Sequence, residues 1–371
     1  MSLPFSGLKV LECATVLAGP AVGAFFAELG AEVIKVEPPG GDVTRHWKRP
    51  EEPKDTTISA YFSAINWGKK SVVINLKHPA EREAFYTLVQ DADVLIANYK
   101  PGAAEALGVD YDTLKVLNPA LLYGHLTGYG LHNHRTGYDA IVQAESGFLY
   151  LNGHPGGPPA KMPVALMDVL AAHQLKEALL VGLYQRLQSP GQGGDYFSVS
   201  LLDSALVSLM NQATNWLVAG HDPEPMGLEH PNIVPYGNVF TTADQRQIML
   251  AVGGDRHFQQ LWELLQLTAD PRFATNTGRL AHRETVNQRL AEAVSTQAAD
   301  PFLKELWARG IPAGEIKTVS QALSNPHIEH LILRDRGFKG LRQNSFSSSL
   351  WPVPTLSAPP ELNAHRHLLT Q

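Results

Sequence analysis

Short apolar runs of β-forming residues alternate with helix start and stop signals through most of the first half of the chain, and few folds accept that alternation. Leu8-Lys-Val-Leu-Glu12 reads as a strand, with a loop at Ala18-Gly19-Pro20. A helix from about Pro20 to Leu29 follows, with Pro in its first turn and Gly30 just past its end. Ala31–Glu37 is the next strand, closed by Pro38-Pro39-Gly40-Gly41. Ser71–Leu76, Asp93–Asn98 and Leu121–Thr127 continue the series, and a helix opened by Pro79 runs to about Val89 between the first two. Strands joined by helices of this length predict an α/β fold with a parallel sheet and right-handed crossovers.

Farther on the pattern changes. Ser189–Asp195 is a turn cluster, Tyr196–Leu202 is another strand candidate, and Gly220–Gly227 is rich in Gly and Pro. Beyond it, Gln247–Val252 reads as a strand, and His257–Leu265 and Glu284–Ala293 read as helices. The organisation expected is a large domain over residues 1–200, a linker over 201–228, a small α+β domain over 229–325 and a C-terminal segment over 326–371 that returns to the large domain. Within that last segment Trp351–Pro360 is extended and lies along another surface.

Composition excludes several classes. A net charge of −6 gives no basic face for a nucleic acid, although a helix N-terminus or local cations can still hold a small anion. Cys13 is the only cysteine, so there is no internal disulfide and no multi-Cys metal site. The first residues lack a leader pattern, and the best apolar run, Val199–Gly220, is broken by Asp203 and Asn211. The expectation is a cytoplasmic protein with no membrane or nucleic-acid partner.

Asp168 stands out among the candidate chemical groups. It opens an amphipathic helix in the apolar run Pro163-Val-Ala-Leu-Met-Asp168, with Leu175, Leu179, Leu183 and Leu187 recurring every fourth residue. A carboxylate there is either a helix cap or a working group. The glycines of Ala18-Gly19-Pro20-Ala21-Val22-Gly23 have the wrong spacing for a dinucleotide loop. His132 and His134 lack a third ligand on a regular element, and Ser146-Gly147 lacks a nucleophile elbow. Gly253-Gly254 follows a strand and precedes a helix; it is a turn, or a backbone loop that approaches an acyl group.

Read together, a set of motifs goes further. Ala18-Gly-Pro20, Leu29-Gly-Ala-Glu-Val-Ile-Lys-Val-Glu-Pro-Pro39, Gly41-Asp-Val-Thr-Arg45 and Asn66-Trp-Gly-Lys-Lys-Ser-Val-Val73 occur in order. Ala92–Asn98, Gly128-Tyr-Gly130, Gly137-Tyr-Asp139, Gln143–Gly147, Asp168, Val199–Ser204 and Gly310–Gly314 follow. This order resembles the class III coenzyme A transferases, from about residue 5 to about residue 340. The resemblance implies an interlocked homodimer, each chain having a Rossmann-like, CoA-binding large domain and a smaller one. It also implies acyl-CoA and a small carboxylic acid as substrates, with no permanently bound cofactor and no metal.

Carried over by position, the resemblance puts the catalytic nucleophile on Asp168, with Asp139, Tyr138, Gly253 and Gly254 around the reacting groups. CoA contacts fall on Val16, Leu17, Ala18, Ile74, Lys77, Asn98, Tyr99, Lys100 and Leu107. Leu17 replaces a polar residue of formyl-CoA transferase, and Pro38 and Ala106 replace arginines near the CoA phosphates. Arg45, Lys69, Lys70 and Lys100 are then the cations left for phosphate. Related α-methylacyl-CoA racemases carry a Gly-His-Asp segment where this chain has Gly137-Tyr138-Asp139, and Tyr is a poor base near neutral pH. Transfer is therefore the leading reading; racemisation and catalytically silent CoA binding are the alternatives.

Overall fold

A computed structural model of the chain describes residues 2–370. The chain divides into two compact units. The first comprises residues up to Leu149, Lys161–His221 and everything from His327 on; the second comprises Tyr150–Ala160 and Asp222–Pro326.

The first unit is built on a parallel sheet of β1 (Lys9–Glu12), β2 (Glu32–Glu37), β3 (Lys70–Val73), β4 (Val94–Ala97), β5 (Leu122–Thr127) and β6 (Asp195–Ser200). Their spatial order is β3-β2-β1-β4-β5-β6. Between β1 and β2 runs α1 (Ala18–Glu28), between β2 and β3 α2 (Ala60–Ser63), and between β3 and β4 α3 (Pro79–Gln90). The β4–β5 connection holds α4 (Ala103–Leu107) and α5 (Tyr111–Leu117). The longer β5–β6 connection holds α6 (Asp139–Glu145), α7 (Phe148–Leu151) and α8 (Leu166–Gln188). Every strand expected in this half forms, because each apolar run is buried on both faces of the sheet. Val10, Val33, Val94 and Ile96 pack toward Phe26 of α1 and Leu175 and Leu179 of α8. Leu11, Ile34, Val72 and Leu95 pack on the other face, toward Phe85 and Val89 of α3.

Two expectations change. Leu187 is 78% exposed, while Met167, Ala171, Leu175, Leu179 and Gly182 form the buried face of α8. A spacing of four residues overshoots a full turn by about 40° per step, so a strict four-residue stripe rotates off the sheet. The stretch 201–228, expected as a linker, begins with two helices, α9 (Leu201–Val207) and α10 (Asn211–Ala219). Ser200 ends the strand and caps α9 by accepting from the Asp203 amide at 3.0 Å.

In the second unit β7 (Tyr236–Thr241), β8 (Gln247–Ala251) and β9 (Ala313–Glu315) form an antiparallel sheet. With it go α11 (Asp255–Leu264), α12 (Asn276–Ala281), α13 (Arg283–Val294), α14 (Ala299–Ala308) and α15 (Val319–Leu323). Leu250, Phe258, Trp262, Phe273, Leu290 and Leu306 fill its core.

Back in the first unit, β10 (Ile332–Asp335) and β11 (Phe338–Leu341) form a hairpin whose Leu333 packs with Trp67 and Ala358. The chain then closes on the sheet edge. His365 N donates to Ser71 O at 2.9 Å, Ser71 N donates to His365 Nδ1 at 3.1 Å, and Val73 N donates to Asn363 Oδ1 at 3.0 Å. These bonds cover the free edge of β3. No helix among the described residues is long and apolar enough to cross a membrane.

Candidate active site

Strand order reverses between β1 and β4, so the loops leaving their C-terminal ends diverge and open a crevice, the usual ligand position in a sheet of this kind. A cavity of about 260 Å³ lies there, within the first unit. Val16, Leu17 and Ala18 come to it from β1, Asn98, Tyr99 and Lys100 from β4, and Thr127 and Gly128 from β5. Tyr138, Asp139 and Asp168 complete it. The loop after β5 reaches the cavity by folding back on itself: a Cβ on Gly128 would lie 2.6 Å from the Gly137 Cα, so any larger residue would push Tyr138 and Asp139 away.

Asp168 sits in the first turn of α8 but does not cap it; the N-cap is Ala165, which makes no side-chain bond. Asp139 does that work. Its Oδ1 accepts from Met167 N at 2.7 Å, and its Oδ2 accepts from Gln143 Nε2 at 2.6 Å. Gln143 Oε1 in turn accepts from Met162 N at 2.9 Å. Asp139 is thus buried and fully engaged, and it fastens the turn that carries Asp168. The Asp168 carboxylate makes no hydrogen bond among the described residues and is only partly buried. Desolvation, followed by the negative charge of Asp139, pushes its pKa up to about 7. The carboxylate therefore lies unbonded in a cavity at a sheet switch point, with a raised pKa.

A buried charge network underlies the loop after β1. Glu12 binds Lys35 at 2.9 Å and Lys69 at 2.6 Å, and Lys35 also binds Asp42 at 2.9 Å. Arg45 grips Glu37 with two bonds of 2.7 Å. This corrects one expectation: Arg45 and Lys69 are each 2% exposed and have carboxylate partners, so neither is free for a phosphate. Lys70 pairs with Glu32. Lys100 is exposed at the cavity, where its ammonium has only the Thr136 hydroxyl as partner among the described residues, at 2.7 Å.

Three expected CoA positions lie away from the cavity. Ile74 is 2% exposed in the core beside Val72, because it follows β3 in the register that points toward α3. Lys77 is exposed beyond the end of β3, and Leu107 packs at the end of α4. Gly253 and Gly254 belong to the second unit, at the turn from β8 into α11. Both are exposed, neither has a positive φ, and a Cβ on either would meet nothing closer than 3.9 Å. Neither crowding nor backbone conformation explains why they are glycine. One neighbour was not foreseen: Tyr61 of α2 packs edge-on against Trp47, ring centroids 5.0 Å apart. Burial and then the charges of Asp168 and Asp139 raise its pKa. Nothing in the sequence around Tyr61 marks it, since Asp168 lies more than a hundred positions later.

Residues 5–366 match the model of CoA-transferase family III. The chain belongs to that family. Succinate–glutarate CoA-transferase of Agrobacterium fabrum is 39% identical, over 89% of this chain and 84% of its own length. Acetyl-CoA:oxalate CoA-transferase of Acetobacter aceti is 35% identical, over 87% and 83%. Human succinyl-CoA:glutarate CoA-transferase is 32% identical, over 88% and 75%. Among solved structures, a CAIB/BAIF family protein from Brucella suis superposes with a TM-score of 0.89 at 36% identity, covering all of both chains. The family membership read from the ordered motifs is therefore borne out, as is an enzyme of this class.

Proposed function

We propose that the enzyme moves coenzyme A from an acyl-CoA to a free carboxylic acid through covalent intermediates on Asp168. The observation that carries this is the unbonded Asp168 carboxylate in the switch-point cavity. An Asp168 oxygen attacks the thioester carbonyl, the C–S bond breaks, and a mixed anhydride and CoA thiolate result. The thiolate attacks the aspartyl carbonyl and expels the donor acid as its carboxylate, leaving an aspartyl-CoA thioester. The acceptor carboxylate attacks that carbonyl and releases the thiolate again. Attack of the thiolate on the acceptor's carbonyl then yields the new acyl-CoA and returns Asp168. No water is consumed, so the thioester's free energy is kept if the site stays dry.

The N-terminus of α1 supplies stabilisation for the oxyanions along this route. Leu17 and Ala18 line the cavity, and their N–H groups have no partner among the described residues. Unpaired amides at the positive end of a helix suit a developing negative charge. Lys77, exposed beyond β3, and Leu107, at the end of α4, mark the path of the CoA nucleotide. Among the described residues, Lys100 is the cavity cation not matched by a carboxylate. The relatives named above act on succinate, glutarate or oxalate, which makes a dicarboxylic acid the first substrate class to test.

Proton exchange at an α-carbon is disfavoured by the surroundings of Tyr138. Its phenol is 62% exposed, and the nearby cation Arg135 is spent on Glu145 and lies 4.5 Å over the Tyr129 ring. Incubating a 2-methylacyl-CoA in deuterated water with enzyme is expected to leave the α-carbon unlabelled, while added succinate or glutarate is converted to its CoA ester. Rapid α-deuteration that Tyr138→Phe abolishes would reverse this reading in favour of a racemase.

The active form is a homodimer with interlocked chains. In support, Val181, Tyr184 and Leu187 of α8, and Trp216, Leu217 and Val218 of α10, are each more than half exposed. Sedimentation at submicromolar concentration is expected to give a single species of twice the chain mass. An active monomer would refute the assembly.

A further inference from the structure

Val16 lies at the cavity with φ of 73°, a left-handed conformation that a β-branched residue strongly resists. Such strain persists only where the surroundings enforce it. Two side chains enforce it here. Asn98 holds Thr15 from the β4 side, its Oδ1 accepting from Thr15 N at 3.1 Å and its Nδ2 donating to Thr15 O at 2.9 Å. From the β2 side Asp42 accepts from Val16 N, at 3.2 Å on Oδ2 and 3.4 Å on Oδ1.

We infer that Asp42 is a positioning residue for the transfer reaction: by holding the Val16 amide it keeps the Leu17 and Ala18 N–H groups aimed at the reacting carbonyl. The inference rests on the covalent route through Asp168. Asp42 can hold a strained loop because it is itself immobile. It is wholly buried, accepts from Thr44 N at 3.0 Å and Thr44 Oγ1 at 2.8 Å, and pairs with Lys35. Lys35 also donates to Ala14 O at 2.9 Å, so the same ammonium fixes the loop two residues before Val16. The network under the loop therefore transmits the rigidity of the sheet to the backbone amides at its tip.

The test is a double-mutant cycle of Asp42→Asn with Val16→Gly, read as the rate at which acyl-CoA forms the covalent adduct on Asp168, by quench and mass spectrometry. Glycine takes a positive φ without strain, so it needs no clamp. Asp42→Asn is expected to slow adduct formation by roughly tenfold to a hundredfold in the Val16 protein, with KM for acyl-CoA changing less than about threefold. In the Val16→Gly background the same change is expected to cost less than about threefold. Equal losses in both backgrounds, or none in a folded Asp42→Asn protein, overturn the inference. If Asp42→Asn does not fold, Thr44→Val, which removes one bond to Asp42 and leaves the ion pair, enters the same cycle under the same criteria. Absence of any adduct on Asp168 in the unmodified enzyme rejects the covalent route, and this inference with it.

Discussion

Asp168→Asn is expected to abolish transfer, with a loss of three orders of magnitude or more in kcat, roughly what removing a covalent nucleophile costs elsewhere. It is also expected to make the protein more stable at pH 8. Burial and the Asp139 charge raise the Asp168 pKa from 3.8 to about 7. Between those values the folded protein keeps a proton that the unfolded chain has lost, so stability falls as pH rises, and the penalty is complete above pH 7. Asn carries no charge at any of these pH values and escapes the penalty. The gain should be absent below pH 4, grow through pH 5–7, and reach a few kcal/mol at pH 8. Thermal unfolding of both proteins across that range measures it. For the wild type, adduct formation should rise through pH 7 as the carboxylate ionises. A variant that turns over normally would remove Asp168 from the mechanism, and a gain over the wild type no larger at pH 8 than at pH 4 would overturn its raised pKa.

The second large effect concerns Lys35. Both its carboxylate partners, Glu12 and Asp42, are fully buried. Removing one member of a buried network strands the others, at a cost of about 3–5 kcal/mol. Lys35→Met should therefore lower the denaturation midpoint sharply and leave little folded protein at 37 °C. Lys70→Met, which breaks only the half-exposed pair with Glu32, should cost about 1 kcal/mol or less. Urea unfolding of the two variants compares them. Similar small losses in both would mean that the network is not what fixes the loop over the sheet.

The strands of the first unit were legible because each is a short apolar run bounded by turn residues, and burial on both faces leaves such a run no alternative. Asp168 was legible as a special position but not as an uncapped one. The residue that satisfies the α8 terminus, Asp139, comes from another helix, and local sequence cannot show that the capping position is already served. For the same reason Lys69 and Arg45 looked like free cations. Glu12 lies 57 residues before Lys69, and only the folded sheet brings the two charges together. Likewise Tyr61 comes under the charges of Asp168 and Asp139 through tertiary placement, without any local pattern.

The manner in which the chain closes on β3 has a consequence for biosynthesis. Asn363 and His365 bond to Ser71 and Val73, 290 or more positions earlier, and Pro360 O accepts from Arg45, 315 positions earlier. The sheet is thus laid down early in translation, yet its outer edge is sealed only by residues made 290 or more positions later. Until they emerge, the nascent first unit presents an open strand and an Arg45 guanidinium short of one acceptor, a state prone to pairing with other chains.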